Sequence, residues 1–208
     1  MAARFAHYLR RLLARHPISY ALASCPMTPR ILYLLVAALL GLSQCKKKSD
    51  PAPVDQLPPA TQTGANTFGC LLNGQPWTPS GNNGTPNFVV TYDPNYMGGA
   101  LQIKSYRYSG AKNDVLQGIV LGAAQVNNVG GYILSLKGGN GANYIDNGLP
   151  SPCNYYGEAP QLTYRKGTLT VTHLDQKTGI VSGTFAFTLY QPGCDSVRVT
   201  NGRFDKKL

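Results

Sequence analysis

The clearest pattern in the chain is an alternation with a period of two. Leu169, Val171 and His173 alternate with Thr168, Thr170 and Thr172, and a second run sets Val181, Gly183, Phe185, Phe187 and Leu189 against Ser182, Thr184, Ala186 and Thr188. Successive side chains of a β-strand point to opposite faces, so each run predicts a strand with one face on a core and one face outward. Between them, Asp175-Gln176-Lys177-Thr178-Gly179 predicts the turn of a hairpin. A third run, Val197 and Val199 against Arg198 and Thr200, goes out of phase: continued unbroken, it buries Arg203 and exposes Phe204. A bulge at Asn201-Gly202 shifts the phase by one residue and returns Phe204 to the core.

Shorter segments repeat the theme at Phe68 to Leu72, Phe88 to Tyr92, Leu101 to Tyr108, Leu116 to Leu121, Tyr132 to Leu136 and Asn143 to Asp146. Each is bounded by Gly, Asn or Pro clusters such as Gly81-Asn82-Asn83-Gly84 and Gly138-Gly139-Asn140-Gly141. Many short strands at this spacing predict an all-β domain, either an antiparallel β-sandwich or an up-and-down barrel. The composition points the same way, because 23 Gly, 15 Pro and 13 Tyr with only 13% charged residues supply turns and strands and few helix formers.

The N-terminal part reads differently. Ile31 to Leu42 is a dozen apolar residues, preceded by Arg30 and followed by Ser43-Gln44-Cys45. That order of charge, apolar run and small residues is the layout of a secretory signal, and the run falls short of the about 20 residues needed to span a bilayer. Leu42-Ser43-Gln44-Cys45 resembles a lipobox, whose cysteine becomes the lipidated N-terminus; Gln44 departs from the small residue usual there. Met27-Thr28-Pro29-Arg30 is a complete start for such a signal, so residues 1–26 read as an upstream start chosen in error, 27–44 as the signal peptide and 45–66 as lipidated cysteine and flexible linker. Pro51, Pro53, Pro58 and Pro59 among Ala, Gln and Thr predict a semi-rigid tether, and residues 67–208 form the single all-β domain. Several acyl chains on Cys45 give stable anchoring, and Lys46, Lys47 and Lys48 add attraction to an anionic leaflet.

Cys45 with its lysine tail, the opening Asn66-Thr67-Phe68-Gly69-Cys70-Leu71-Leu72-Asn73-Gly74-Gln75-Pro76-Trp77, and the ending Gly183-Thr184-Phe185 with Val197-Arg198-Val199-Thr200-Asn201-Gly202-Arg203-Phe204-Asp205 resemble a family of small Gram-negative envelope lipoproteins whose domain has no assigned function. The resemblance covers most of the chain after Cys45. It implies a location in the cell envelope and a β-rich fold, and it carries over no site residue. The outer membrane is the expected site of attachment.

The net charge of +10 invites a nucleic-acid reading until it is apportioned. Arg4, Arg10, Arg11, Arg15 and Arg30 precede the cleavage site, which leaves 14 basic against 9 acidic residues. These are scattered and not striped along one element, so no nucleic-acid partner is expected.

Chemistry-bearing residues are few. His173 is the only histidine after Cys45, which gives neither a metal cluster nor a triad, and no cofactor fingerprint is present. Glu158 with Asp93, Asp114, Asp146, Asp175 or Asp195 supplies carboxylates for glycoside hydrolysis only if the fold pairs them; they read as loop acids and the domain as noncatalytic. In an oxidising compartment Cys153 and Cys194, both in turn-rich stretches, are expected to form a disulfide, and Cys70 beside a strand to be buried. The aromatic excess is the one functional signal. Trp77, Tyr106, Tyr108, Tyr155 and Tyr156 offer apolar faces with polar tips, suited to a glycan or other small ligand. A binding module at the envelope is therefore the first expectation, and a structural or assembly protein contacting envelope partners the alternative. N-terminal sequencing of the unprocessed precursor is expected to begin at Met27; residues ahead of Met27 would overturn that reading.

Overall fold

The computed structural model describes residues 50–135, 139–157 and 164–208. The upstream segment, the signal peptide, Cys45 and the three lysines lie outside the described residues, as do Leu136 and Glu158. One 3-10 turn, Pro53–Gln56, precedes eleven strands among the described residues: β1 (Thr67–Leu72), β2 (Gln75–Trp77), β3 (Phe88–Asp93), β4 (Ala100–Ser109), β5 (Val115–Ala123), β6 (Gly130–Ile133), β7 (Gly141–Asp146), β8 (Tyr155–Tyr156), β9 (Tyr164–Asp175), β10 (Ile180–Tyr190) and β11 (Val197–Lys207). They form a six-stranded sheet in the order β2-β1-β11-β10-β9-β6 and a five-stranded sheet in the order β3-β4-β5-β7-β8. The two antiparallel sheets pack as a sandwich and do not close into a barrel. β2 and β8 are three and two residues long, too short for alternation to reveal.

The core lies between the inner faces. Phe68 on β1 is its hub, with ring centroids 5.8 Å from Trp77, 5.5 Å from Phe88 of the opposite sheet and 5.1 Å from Phe185. Such aromatic contacts add about 0.5–1.5 kcal/mol each to the area they bury. The expected bulge is present. The β10–β11 register slips between Phe185 and Phe187, Asn201 adopts a left-handed φ of 51°, and Phe204 returns inward at 2% exposure. A second slip, between Ser182 and Gly183 opposite β9, corrects the reading of His173. The extra residue at Thr172 turns His173 out of the core face, and Leu174 packs against the core instead.

The expectation of a flexible linker up to Asn66 is also corrected. Residues from Leu57 onward lie across the outer face of the six-stranded sheet as a strap. Leu57 is buried, and Pro58 seats against Gly69, where an added Cβ would stand 2.6 Å from Pro58 Cδ. The physical reason is Asp205, whose wholly buried carboxylate accepts hydrogen bonds from Thr61 Oγ1 (2.6 Å), Ser182 Oγ (2.7 Å) and the backbone N–H groups of Thr63 (3.0 Å), Gly64 (2.9 Å) and Ala65 (3.0 Å). Pro-rich composition bars a segment from building its own core but not from being tied down by a carboxylate elsewhere.

Burial alone pushes the Asp205 carboxyl up, but the donors from Thr61, Ser182, Ala65 and Thr63 outweigh it and hold its pKa well below the carboxylate range. A depressed folded-state pKa gives stability that is present above the unfolded value of about 3.9 and is lost as pH falls below it toward the folded value. Asp205→Ala strands several donors and is expected to cost about 3 kcal/mol at pH 7. In urea titrations monitored through Trp77, the gap between wild type and Asp205→Asn should narrow from pH 5 to pH 2; a gap independent of pH would refute the carboxylate's role.

Candidate functional site

The structure buries three of the five expected ligand contacts, and one of those three, Tyr108, has its ring centroid 6.2 Å from that of Tyr106. Trp77 is 1% exposed, with the Arg107 guanidinium 5.1 Å above its ring and Nε1 donating to Gln117 Oε1 at 3.2 Å. Gln117 Nε2 donates in turn to Asp146 Oδ2 at 2.8 Å, which also accepts the Tyr144 hydroxyl at 3.0 Å. This chain of bonds ties β2 to the opposite sheet, so Trp77 is a structural residue. Tyr156 is 2% exposed, its ring centroid is 6.2 Å from that of Tyr144, and its hydroxyl donates to the Asp195 carbonyl at 2.6 Å. Tyr108 is 8% exposed beneath the loop after β2, where its backbone N–H donates to the Ser80 carbonyl at 2.9 Å. The expectation that these three meet a ligand at the surface is corrected by their burial: each fills a gap that strands alone leave open.

Tyr106 and Tyr155 are partly exposed. They occupy the ends of one cross-strand row, Tyr106–Gly118–Ile145–Tyr155, on the outer face of the five-stranded sheet. The Tyr106 ring lies across Gly118, whose missing side chain leaves it room. Cys153 and Cys194 are disulfide-bonded across a separation of 41 residues, pinning the loop before β8 to the loop before β11. Among the described residues no group of three His, Cys, Asp or Glu side chains could hold a metal ion. Two of the acids close their own turns: Asp93 accepts from the Asn95 and Tyr96 N–H groups, and Asp175 from those of Lys177 and Thr178.

The best-formed surface lies elsewhere, on the outer face of the six-stranded sheet. There the alternation of β9 and β10 continues one step beyond the threonines. Tyr164 stands opposite Tyr190, Lys166 opposite Thr188 and Thr168 opposite Ala186, while Thr188 pairs on its other side with Arg198 of β11. Ile133 of edge strand β6 flanks Thr168. Ile133, Tyr164, Lys166, Thr168, Ala186, Thr188 and Arg198 line an open groove of about 900 Å³, with Tyr190 beside it across from Tyr164; the groove shares Thr168 and Ala186 with a second hollow of about 480 Å³. That hollow ends at Ala60 of the strap and at Arg203, whose Nη1 donates to the Pro58 carbonyl at 3.3 Å. The strap is thus the end wall of the groove, and Ala186 with its flanking threonines is the floor.

The groove's chemistry is one-sided. Tyr164, Tyr190 and Ile133 are 56%, 44% and 68% exposed. Lys166 and Arg198 are exposed too, and neither side chain makes a hydrogen bond or ion pair among the described residues. Among the described residues no acid lines either hollow. Aromatic planes, hydroxyls and two cations with no partner among the described residues equip the face for recognition. No protein-family model, curated protein or solved structure matches this chain, so the site is read from its own residues.

Cys70 is fully buried on β1, and burial pushes its thiol up to about 12, against a smaller downward pull from Arg107. In the native, unreduced protein at pH 8, Cys70 is expected to resist iodoacetamide and to react only on unfolding, whereas Cys153 and Cys194 require reduction as well. A peptide map with Cys70 in a disulfide would contradict this assignment.

Proposed function

We propose that the chain is a lipid-anchored protein outside the cytoplasm, attached through Cys45, whose sandwich binds a glycan or another small amphipathic ligand in the groove of the six-stranded sheet without catalysing a reaction. The observation that carries this reading is the exposed Tyr164–Tyr190 pair standing next to the Lys166–Thr188–Arg198 row. Aromatic faces stack on the apolar faces of sugar rings, and hydroxyls and cations bind their polar edges. The signal-like run Ile31 to Leu42 and the lipobox-like Leu42 to Cys45 support the anchor.

A second reading, an assembly protein, is favoured by one observation. Edge strand β6 is four residues long and leaves Ile133 and neighbouring Val129 68% and 59% exposed, so a partner could add a strand or an apolar contact there.

Thermal unfolding of the full chain in detergent, against a panel of neutral and acidic glycans, tests both. A ligand at about 100 times its dissociation constant stabilises by about 2.7 kcal/mol. The double variant Tyr164→Ala, Tyr190→Ala is expected to unfold within about 0.5 kcal/mol of wild type, since both residues are surface-exposed, while losing that shift. No shift with any glycan, together with partner capture abolished by Ile133→Lys, would replace the binding reading with assembly.

A further inference from the structure

Building on the groove as a glycan site, we propose that its ligand is a linear acidic polysaccharide lying along β10, with sugar carboxylates engaged by Lys166 and Arg198. Strand β10 is the axis of the groove: Thr184, Ala186, Thr188 and Tyr190 succeed one another on its outer face, a run of about 20 Å at roughly 3.4 Å per residue. That length suits several sugar rings in a row and exceeds what a single small anion needs. The run is closed at one end by the strap and Arg203 and open at the other past the tyrosine pair.

Charge selects the class of glycan. Lys166 on β9 and Arg198 on β11 flank Thr188 in one cross-strand row, their Cα atoms two strand spacings or roughly 10 Å apart. Cations on either side of the axis meet carboxylates that project alternately from the two sides of an extended chain. Arg203, by contrast, is occupied with the carbonyls of Pro58 and Asn201 and serves the wall. The nearest acids of the strands that build the groove are withheld from it: Asp205 is buried under the strap, and Asp175 closes its own turn beyond Thr172. A neutral sugar would leave both cations without a partner. A nucleic-acid strand would need cations tracking the whole length, and here they occupy one row.

The test uses polygalacturonate, its methyl ester and alginate, with single-stranded DNA as a second polyanion, titrated against the full chain in detergent and followed by Trp77 emission and calorimetry. Polygalacturonate or alginate is expected to bind at least tenfold tighter than the uncharged methyl ester. That preference should collapse in 0.5 M salt, because exposed charge pairs are screened. It should also collapse in Lys166→Gln, Arg198→Gln, whose unfolding temperature stays at the wild-type value. If the methyl ester or a neutral glycan binds as tightly as the acids, and binding still depends on Tyr164 and Tyr190, the glycan groove stands and the acidic class is overturned. Equal or tighter binding of DNA overturns the polysaccharide assignment, and absence of any glycan binding overturns both this proposal and the reading it rests on.

Discussion

The single extra residue at Asn201 sets the phase of the last strand, and much of the molecule follows from that phase. Before the bulge, Val197 and Val199 face the core; after it, Gly202 and Phe204 do, and Arg203 and Asp205 are turned to the outer face. Gly202 is required there because the Phe185 ring occupies the space a Cβ would take. Without the shift, Phe204 would forfeit about 2 kcal/mol of burial and a carboxylate would enter an apolar interior. Placed outward, Asp205 meets the strap and Arg203 meets Pro58, so the end wall of the groove rests on one residue's backbone conformation.

The Asp205 clasp shows how a polar group can be both buried and stabilising. Its oxygens accept from backbone N–H groups and from hydroxyls, leaving neither the carboxylate nor those donors unsatisfied. All of these donors except Ser182 come from residues 61–65, about 140 positions earlier in the chain. Nothing in the local composition of that segment announces the contact, which is why Pro-rich sequence reads as a tether while the folded chain uses half of it as a wall.

Local pattern did make most of the architecture legible. The long strands, the hairpin of β9 and β10 and the bulge before Phe204 follow from alternation and turn chemistry, and the Cys153–Cys194 bridge is the one expected of two cysteines in turn-rich stretches. The choice between sandwich and barrel was not legible, because it turns on whether β2, β6, β3 and β8 pair or end as edges. Trp77, Tyr108 and Tyr156 were misjudged for a physical reason. A buried Tyr or Trp is affordable when its polar tip finds an acceptor, and Gln117 of β5 and the Asp195 carbonyl of the loop before β11 supply those acceptors from distant parts of the chain. The groove, in contrast, was within reach: the threonine face of β9 and β10 extends by the same period to Lys166, Tyr164 and Tyr190.

The positive character of that face is a consequence of where the acids are spent. Asp93 and Asp175 close turns, Asp146 accepts hydrogen bonds in the interior and Asp205 accepts them beneath the strap, so these four carboxylates, which elsewhere would intersperse with surface lysines and arginines, are committed to structure. A surface of mixed sign is the usual route to solubility without a directed field. Here the outward sheet face keeps Lys166 and Arg198 with no counter-charge among the described residues, and Thr188 stands between them. Because the cations lie on regular strands and not on loops, their separation is fixed by strand spacing, and the face presents the same two charges at the same distance to every ligand it meets.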